Sequence, residues 1–126
     1  MYKIHYNNLV HILICEDEHF IRRALAEHLS SLEYQISEVE NGLECLDFIS
    51  HTVPDLILMD LKMPVMDGHT AIAKLKERDI QIPFIVLSGF GGHEAVAAGY
   101  ECIQKPYRLS QVSSLIQTKF GQLGQR

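Results

Sequence analysis

Asp55-Leu56-Ile57-Leu58-Met59-Asp60-Leu61-Lys62-Met63-Pro64-Val65-Met66-Asp67-Gly68 is the stretch whose reading decides the fold. Its apolar run is too short for a helix and shows no polar face, which reads as a strand buried on both sides. The run ends in Asp60, and Pro64 and Gly68 punctuate the residues after it. A buried strand over 55–60 therefore delivers a carboxylate to a loop at its C-terminal end. In open parallel sheets that edge is where ligands bind.

Working outward, the same pattern recurs. Leu9-Val10-His11-Ile12-Leu13-Ile14-Cys15 is a second apolar run and closes on Glu16 and Asp17. It predicts a strand over about 10–15. Ile21, Leu25, Leu29 and Leu32 recur at three or four residues and predict a helix over about 19–32. Tyr34 to Val39 alternates, as an edge strand does. A second helix starts after Asn41-Gly42 and carries Leu43, Leu46, Phe48 and Ile49. A third begins near Gly68 with Ala71, Ile72 and Leu75. Pro83 to Leu87 is a fourth strand, ending at Ser88, and about 101–104 a fifth, ending at Lys105. The last helix uses Leu109, Val112, Leu115, Ile116 and Phe120. Strands alternating with helices imply an α/β fold with a doubly wound parallel sheet and right-handed crossovers. Glu16, Asp17, Asp60, Ser88 and Lys105 then all lie at the C-terminal ends of strands, with four of the five strands contributing.

Size and composition narrow the classes. The chain has 126 residues, enough for one domain with a real core and too few for two. A net charge of −5 argues against a nucleic-acid binder, which needs a basic face. No apolar run approaches the ~20 residues of a membrane span, and the N-terminus lacks the apolar core of a signal peptide. Three cysteines, Cys15, Cys45 and Cys102, form no Cys-x-x-Cys pair. They are expected as small, reduced, buried side chains, in keeping with a cytoplasmic location. None of the seven histidines is paired with another at helical spacing, so all are expected at surface or half-buried positions. Residues 1–8 are expected as an N-terminal extension, 9–121 as the domain, and 122–126 as a C-terminal tail.

Acids from two strand ends and a lone lysine suit a hard divalent cation and a phosphoryl group. Each residue has a plainer reading. Asp60 could end a turn, Glu16 and Asp17 could cap a helix N-terminus, Lys105 could be a solvated loop residue, and Ser88-Gly89 a simple turn. Those readings must hold at four sites together.

The wording of these segments resembles the receiver domain of the two-component response-regulator family. Ile-Cys-Glu-Asp-Glu at 14–18, the 55–68 stretch with its Asp-x-x-x-Pro-x-x-x-Gly spacing, Val-Leu-Ser-Gly at 86–89 and Gln-Lys-Pro-Tyr at 104–107 carry the likeness, which covers about 9–121. It is chemotaxis-regulator-like, with phrases similar to receivers of hybrid sensor kinases. The resemblance implies a flavodoxin-like, five-stranded parallel sheet of order 2-1-3-4-5. It implies a phosphoacceptor switch in which Asp60 takes a phosphoryl group from the phosphohistidine of a sensor histidine kinase or phosphotransfer protein. Asp17, Asp60 and the backbone carbonyl of Lys62 would hold Mg²⁺, with Glu16 helping through a water. Lys105 and Ser88 would contact the phosphoryl oxygens. Neither a membrane nor nucleic acid is an expected partner, and no DNA-binding output is expected within these residues.

The chain also departs from the family pattern. Glu16 stands where Asp is commoner. Cys102 stands three residues before Lys105, where the family usually places a Tyr or Phe that turns inward on activation. Only 17 positions separate Ser88 from Lys105, and the segment between holds four glycines, at 89, 91, 92 and 99. The helix between strands 4 and 5 (helix 4 of the family) is therefore expected to be short or missing, since glycine costs about 1 kcal/mol inside a helix. Lys62 and Phe90 are large residues expected to flank the approach of a hydrolytic water, predicting slow self-dephosphorylation. Two other classes compete. A Mg²⁺-dependent aspartyl-phosphate hydrolase needs a second Asp two residues after the first, where Lys62 stands, and a cap domain; an enzyme is not expected. A pseudo-receiver, a protein-interaction module that works without phosphorylation, is the alternative that Cys102 and the shortened segment keep open.

Overall fold

The computed structural model describes residues 9–89 and 99–121. The expected extension at 1–8, the short or missing helix between strands 4 and 5, Phe90 and the tail at 122–126 lie outside the described residues. In chain order the elements are β1 (His11–Cys15), α1 (His19–Ser31), β2 (Gln35–Val39), α2 (Gly42–His51), β3 (Leu56–Asp60), α3 (Gly68–Glu77), β4 (Phe84–Ser88), β5 (Glu101–Gln104) and α4 (Leu109–Phe120). All strand pairings are parallel and the order is β2-β1-β3-β4-β5, as expected.

Alternate strand residues build two cores, one on each face of the sheet. Leu13, Cys15, Ile57, Met59 and Val86 face α2 and α3, where they meet Cys45, Leu46, Ile49, Ala71, Ile72 and Leu75. Ile12, Ile14, Leu56, Leu58, Ile85 and Leu87 face α1 and α4, where they meet Leu25, Leu29, Val112 and Ile116. β1 and β3 are buried throughout, while β2 is mostly half-buried, as an edge strand should be. At roughly 1.5–3 kcal/mol for each large side chain fully buried, the central strands anchor the sheet.

Two expectations are corrected. Leu43 points outward and is 53% exposed, because the inward stripe of α2 runs through Gly42, Cys45, Leu46 and Ile49, at i, i+3, i+4 and i+7. His11 is buried, since its place in β1 sets its Nε2 2.8 Å from Ser37 Oγ on β2 and its ring edge-on to Phe48. All three cysteines are unpaired; Cys15 and Cys45 are buried and Cys102 is half-buried.

Register levels the strand ends. Cys15 pairs with Met59, so Glu16 comes level with Asp60. Asp60 pairs with Leu87, leaving Ser88 one step beyond, and Ser88 pairs with Gln104, leaving Lys105 one step beyond. Two glycines let the loop after β3 close under this edge. A Cβ on Gly68 would stand 2.2 Å from the Asp60 carbonyl oxygen, and one on Gly42 would stand 2.7 Å from that of Met66. The same closeness lets Gly68 N–H donate to Leu61 O at 2.9 Å and Gly42 N–H to Met66 O at 2.8 Å.

Candidate phosphoryl and metal site

Asp60 ends β3 with its side chain only 7% exposed. Its Oδ1 accepts from the Lys62 N–H at 3.2 Å, and its Oδ2 lies 3.1 Å from Lys105 Nζ. The same ammonium reaches Glu16 Oε1 at 2.7 Å, bridging two acids from the ends of different strands. Asp17 completes the group: one carboxylate oxygen from each of Glu16, Asp17 and Asp60 lies within 4.8 Å of the others. The donors are all oxygen, which suits a hard divalent cation that keeps some of its waters. Lys105 already places positive charge against two of the three, so the residues fit Mg²⁺ both in donor type and in their excess of negative charge.

The crowding is visible in protonation. Burial, and then the Asp60 carboxyl beside it, push Glu16 up to about 7, against the opposing pull of Lys105. Burial pulls Lys105 down, but the Glu16 and Asp60 carboxylates outweigh it and hold the ammonium at about 12. Two of the plainer readings do not match these contacts. Glu18, not Glu16 or Asp17, is the N-cap of α1, and Glu16 Oε2 is instead turned to the Glu18 N–H at 3.2 Å. Lys105 is a bridging cation with its side chain 21% exposed.

Ser88 ends β4 and is 3% exposed. Its hydroxyl lies 3.5 Å from Gly89 O, beyond ordinary O–H···O length, and also meets the Cys102 thiol. Val86, Ser88 and Cys102 share one face of the sheet, since Val86 pairs with Cys102. Burial pushes the Cys102 thiol up, and its contact with the Ser88 hydroxyl works the other way. The two neighbouring tyrosines have other surroundings. Tyr100 is edge-on to Phe84 and lies under Lys76 Nζ at 4.6 Å. Tyr107 packs with the core on the opposite face.

Arg22 is a neighbour of the site that the motifs do not single out. It is 7% exposed, and its guanidinium donates to the Glu16 carbonyl at 3.0 Å and to Glu38 Oε1 at 3.1 Å. Its spacing from Leu25, Ala26 and Leu29, at i+3, i+4 and i+7, is the signal that the sequence offers: an arginine on the inward stripe of α1.

Comparison with known proteins agrees with this geometry. The family model for the response regulator receiver domain matches residues 12–117. The chemotaxis protein CheY of Halobacterium salinarum is 35% identical over 111 residues, covering 83% of this chain and 92% of that one. Sporulation initiation phosphotransferase F of Bacillus subtilis is 30% identical over 110 residues, covering 83% and 89%. Several other curated relatives are longer, and the chain spans between 24% and 52% of those. Among solved structures, the receiver domain of a signal transduction histidine kinase from Syntrophus aciditrophicus superposes with a TM-score of 0.76 at 33% identity, covering 86% of this chain and 87% of that one. With the sheet order, the levelled strand ends and the matched residues in agreement, the chain belongs to the response regulator receiver domain family.

Proposed function

We propose that this chain is a phosphoacceptor switch of two-component signalling, taking a phosphoryl group on Asp60 from the phosphohistidine of a sensor histidine kinase or phosphotransfer protein. Receiver domains are signalling domains that work with such partners. The observation that carries the reading is the convergence of Glu16, Asp17, Asp60 and Lys105 from the ends of three strands on one spot. Glu16, Asp17, Asp60 and the Lys62 backbone carbonyl would hold Mg²⁺. When bound, the ion supplies the positive charge that lets an anionic carboxylate approach an anionic phosphoryl group.

The chain's own residues do the rest. Both Asp60 oxygens are oriented, one by the Lys62 N–H and one by Lys105. One carboxylate oxygen forms the new O–P bond as the P–N bond of the phosphohistidine breaks, its electron pair leaving with the imidazole. Lys105 donates charge-assisted hydrogen bonds to the transferred oxygens. Ser88, whose hydroxyl meets only weak acceptors among the described residues, the Gly89 carbonyl and the Cys102 sulfur, donates to a phosphoryl oxygen once one is present. A contact made in one state alone is what shifts a two-state equilibrium.

We place the donor's docking in the apolar groove beside Lys105. Ile21 and Ala24 of α1 face Pro106, Tyr107 and Leu109 across a space of about 470 Å³. Phe20, next to Ile21 in the chain, is 86% exposed. An apolar groove of this kind suits a helix laid along it.

Acetyl phosphate with Mg²⁺ should add one phosphoryl group to the wild-type chain, seen as an intact-mass shift that disappears in Asp60→Asn. The second reading, a protein-interaction module that works without phosphorylation, is favoured by Cys102 in place of the aromatic switch residue. Failure of every phosphoryl donor, with Mg²⁺ present, would select it.

A further inference from the structure

We infer that Arg22 is a positioning residue for the metal site, acting on Asp17 through the Glu16–Asp17 peptide; this rests on the reading of Glu16, Asp17 and Asp60 as that site. Glu16 is tied at all its polar atoms. Its N–H donates to Val39 O at 3.1 Å, Oε1 meets Lys105, and Oε2 accepts from Glu18 N–H. Its carbonyl accepts from Arg22 Nη1 at 3.0 Å in a buried setting. Asp17 differs: among the described residues its carboxylate has no hydrogen-bonded side-chain partner, so its place depends on its own rotamer and on the backbone that carries it. The plane of the Glu16–Asp17 peptide fixes that backbone, and Arg22 holds the oxygen of that plane.

The guanidinium is itself held from three directions. Nε donates to Glu38 Oε1 at 3.1 Å on β2, Nη1 lies 3.8 Å from Glu40 Oε1, and Nη2 meets His19 Nδ1 at 3.2 Å. Glu38 is anchored in turn by Arg23. The rigid fork of arginine allows one group to bond a carbonyl and a carboxylate together, which a lysine ammonium on a flexible stem does far less well. A buried charge adds little stability over an apolar residue of like volume. The contact with the Glu16 carbonyl gives this one a use at the site.

Mg²⁺ affinity measured by calorimetry, alongside melting temperature, tests this in the full chain. Arg22→Met keeps the stem and loses the fork; it should weaken Mg²⁺ binding about fivefold to tenfold. Arg22→Lys should fall between Arg22→Met and wild type, and it carries the test if Arg22→Met does not fold. Leu29→Ala, a core truncation remote from the acids, should lower the melting temperature and leave Mg²⁺ affinity within twofold of wild type. Loss of affinity in the Arg22 variants without loss in Leu29→Ala supports positioning. Wild-type affinity in the folded Arg22 variants, or equal losses in all variants, overturns it. No Mg²⁺ binding by the wild type overturns the metal site itself.

Discussion

Glu16 is fully buried and touches a second carboxyl, Asp60, with Lys105 its neutralising neighbour. Its carboxyl sits at about 7 in the folded chain against an ordinary 4.5. A raised carboxyl stabilises the fold fully below its unfolded value, and that stabilisation is lost as pH rises through the folded value. Metal-free protein should therefore lose roughly 1–3 kcal/mol between pH ~4.5 and ~7.5 from this group. Glu16→Gln should flatten the slope, and Mg²⁺ should offset the loss in the wild type, both checked by melting temperature against pH. A wild-type stability that rises across the window would remove Glu16 as the controlling group. Lys62 gives a second prediction at this scale. It is exposed two residues after Asp60, at the mouth of the site. A smaller amide there admits and orients a water behind the phosphorus, so Lys62→Asn should release phosphate several-fold faster than wild type. An unchanged rate would place the barrier to water elsewhere.

At the level of elements, the loop from β3 to α3 is seated by close backbone contact. Gly68 permits α3 to begin almost against the Asp60 carbonyl, and Asp67 caps that helix by accepting from the Thr70 N–H at 2.8 Å. Gly68→Ala should displace the end of β3, costing about 1–3 kcal/mol and weakening Mg²⁺ binding, read from the same melts with and without the ion. A stable variant with wild-type Mg²⁺ response would mean that the loop can shift without moving Asp60. The groove between α1 and the start of α4 makes a separate prediction. Ile21→Glu puts a charge into its apolar wall. It should slow transfer from a phosphohistidine donor by tenfold or more while leaving labelling by acetyl phosphate within twofold. Equal effects on both donors would argue against the groove as the donor's seat.

For the molecule as a whole, the strands of the sheet were legible because apolar runs ended in chemically marked residues, while their order followed from the family resemblance. Asp60, Glu16, Ser88 and Lys105 each announced a strand end, and parallel register then levelled them. What could not be read depended on partners distant in the chain. His11 is buried because β2 brings Ser37 to it, and Leu43 yields its inward place to Cys45 because the phase of α2 is set by the fit of Gly42 against Met66. Arg22 was hidden for the same reason: its use depends on a carbonyl six residues before it and on Glu38 of β2. The central claim is that these parts serve an acyl phosphate on Asp60. The most direct measurement is to phosphorylate the chain with a small donor and Mg²⁺, reduce the acyl phosphate with borohydride, and sequence the peptides. Reduction converts a phosphorylated aspartate to homoserine. The account predicts homoserine at position 60, with none when Mg²⁺ is withheld. A reduced residue at Glu16 or Asp17, or no reduced residue at all, would contradict it.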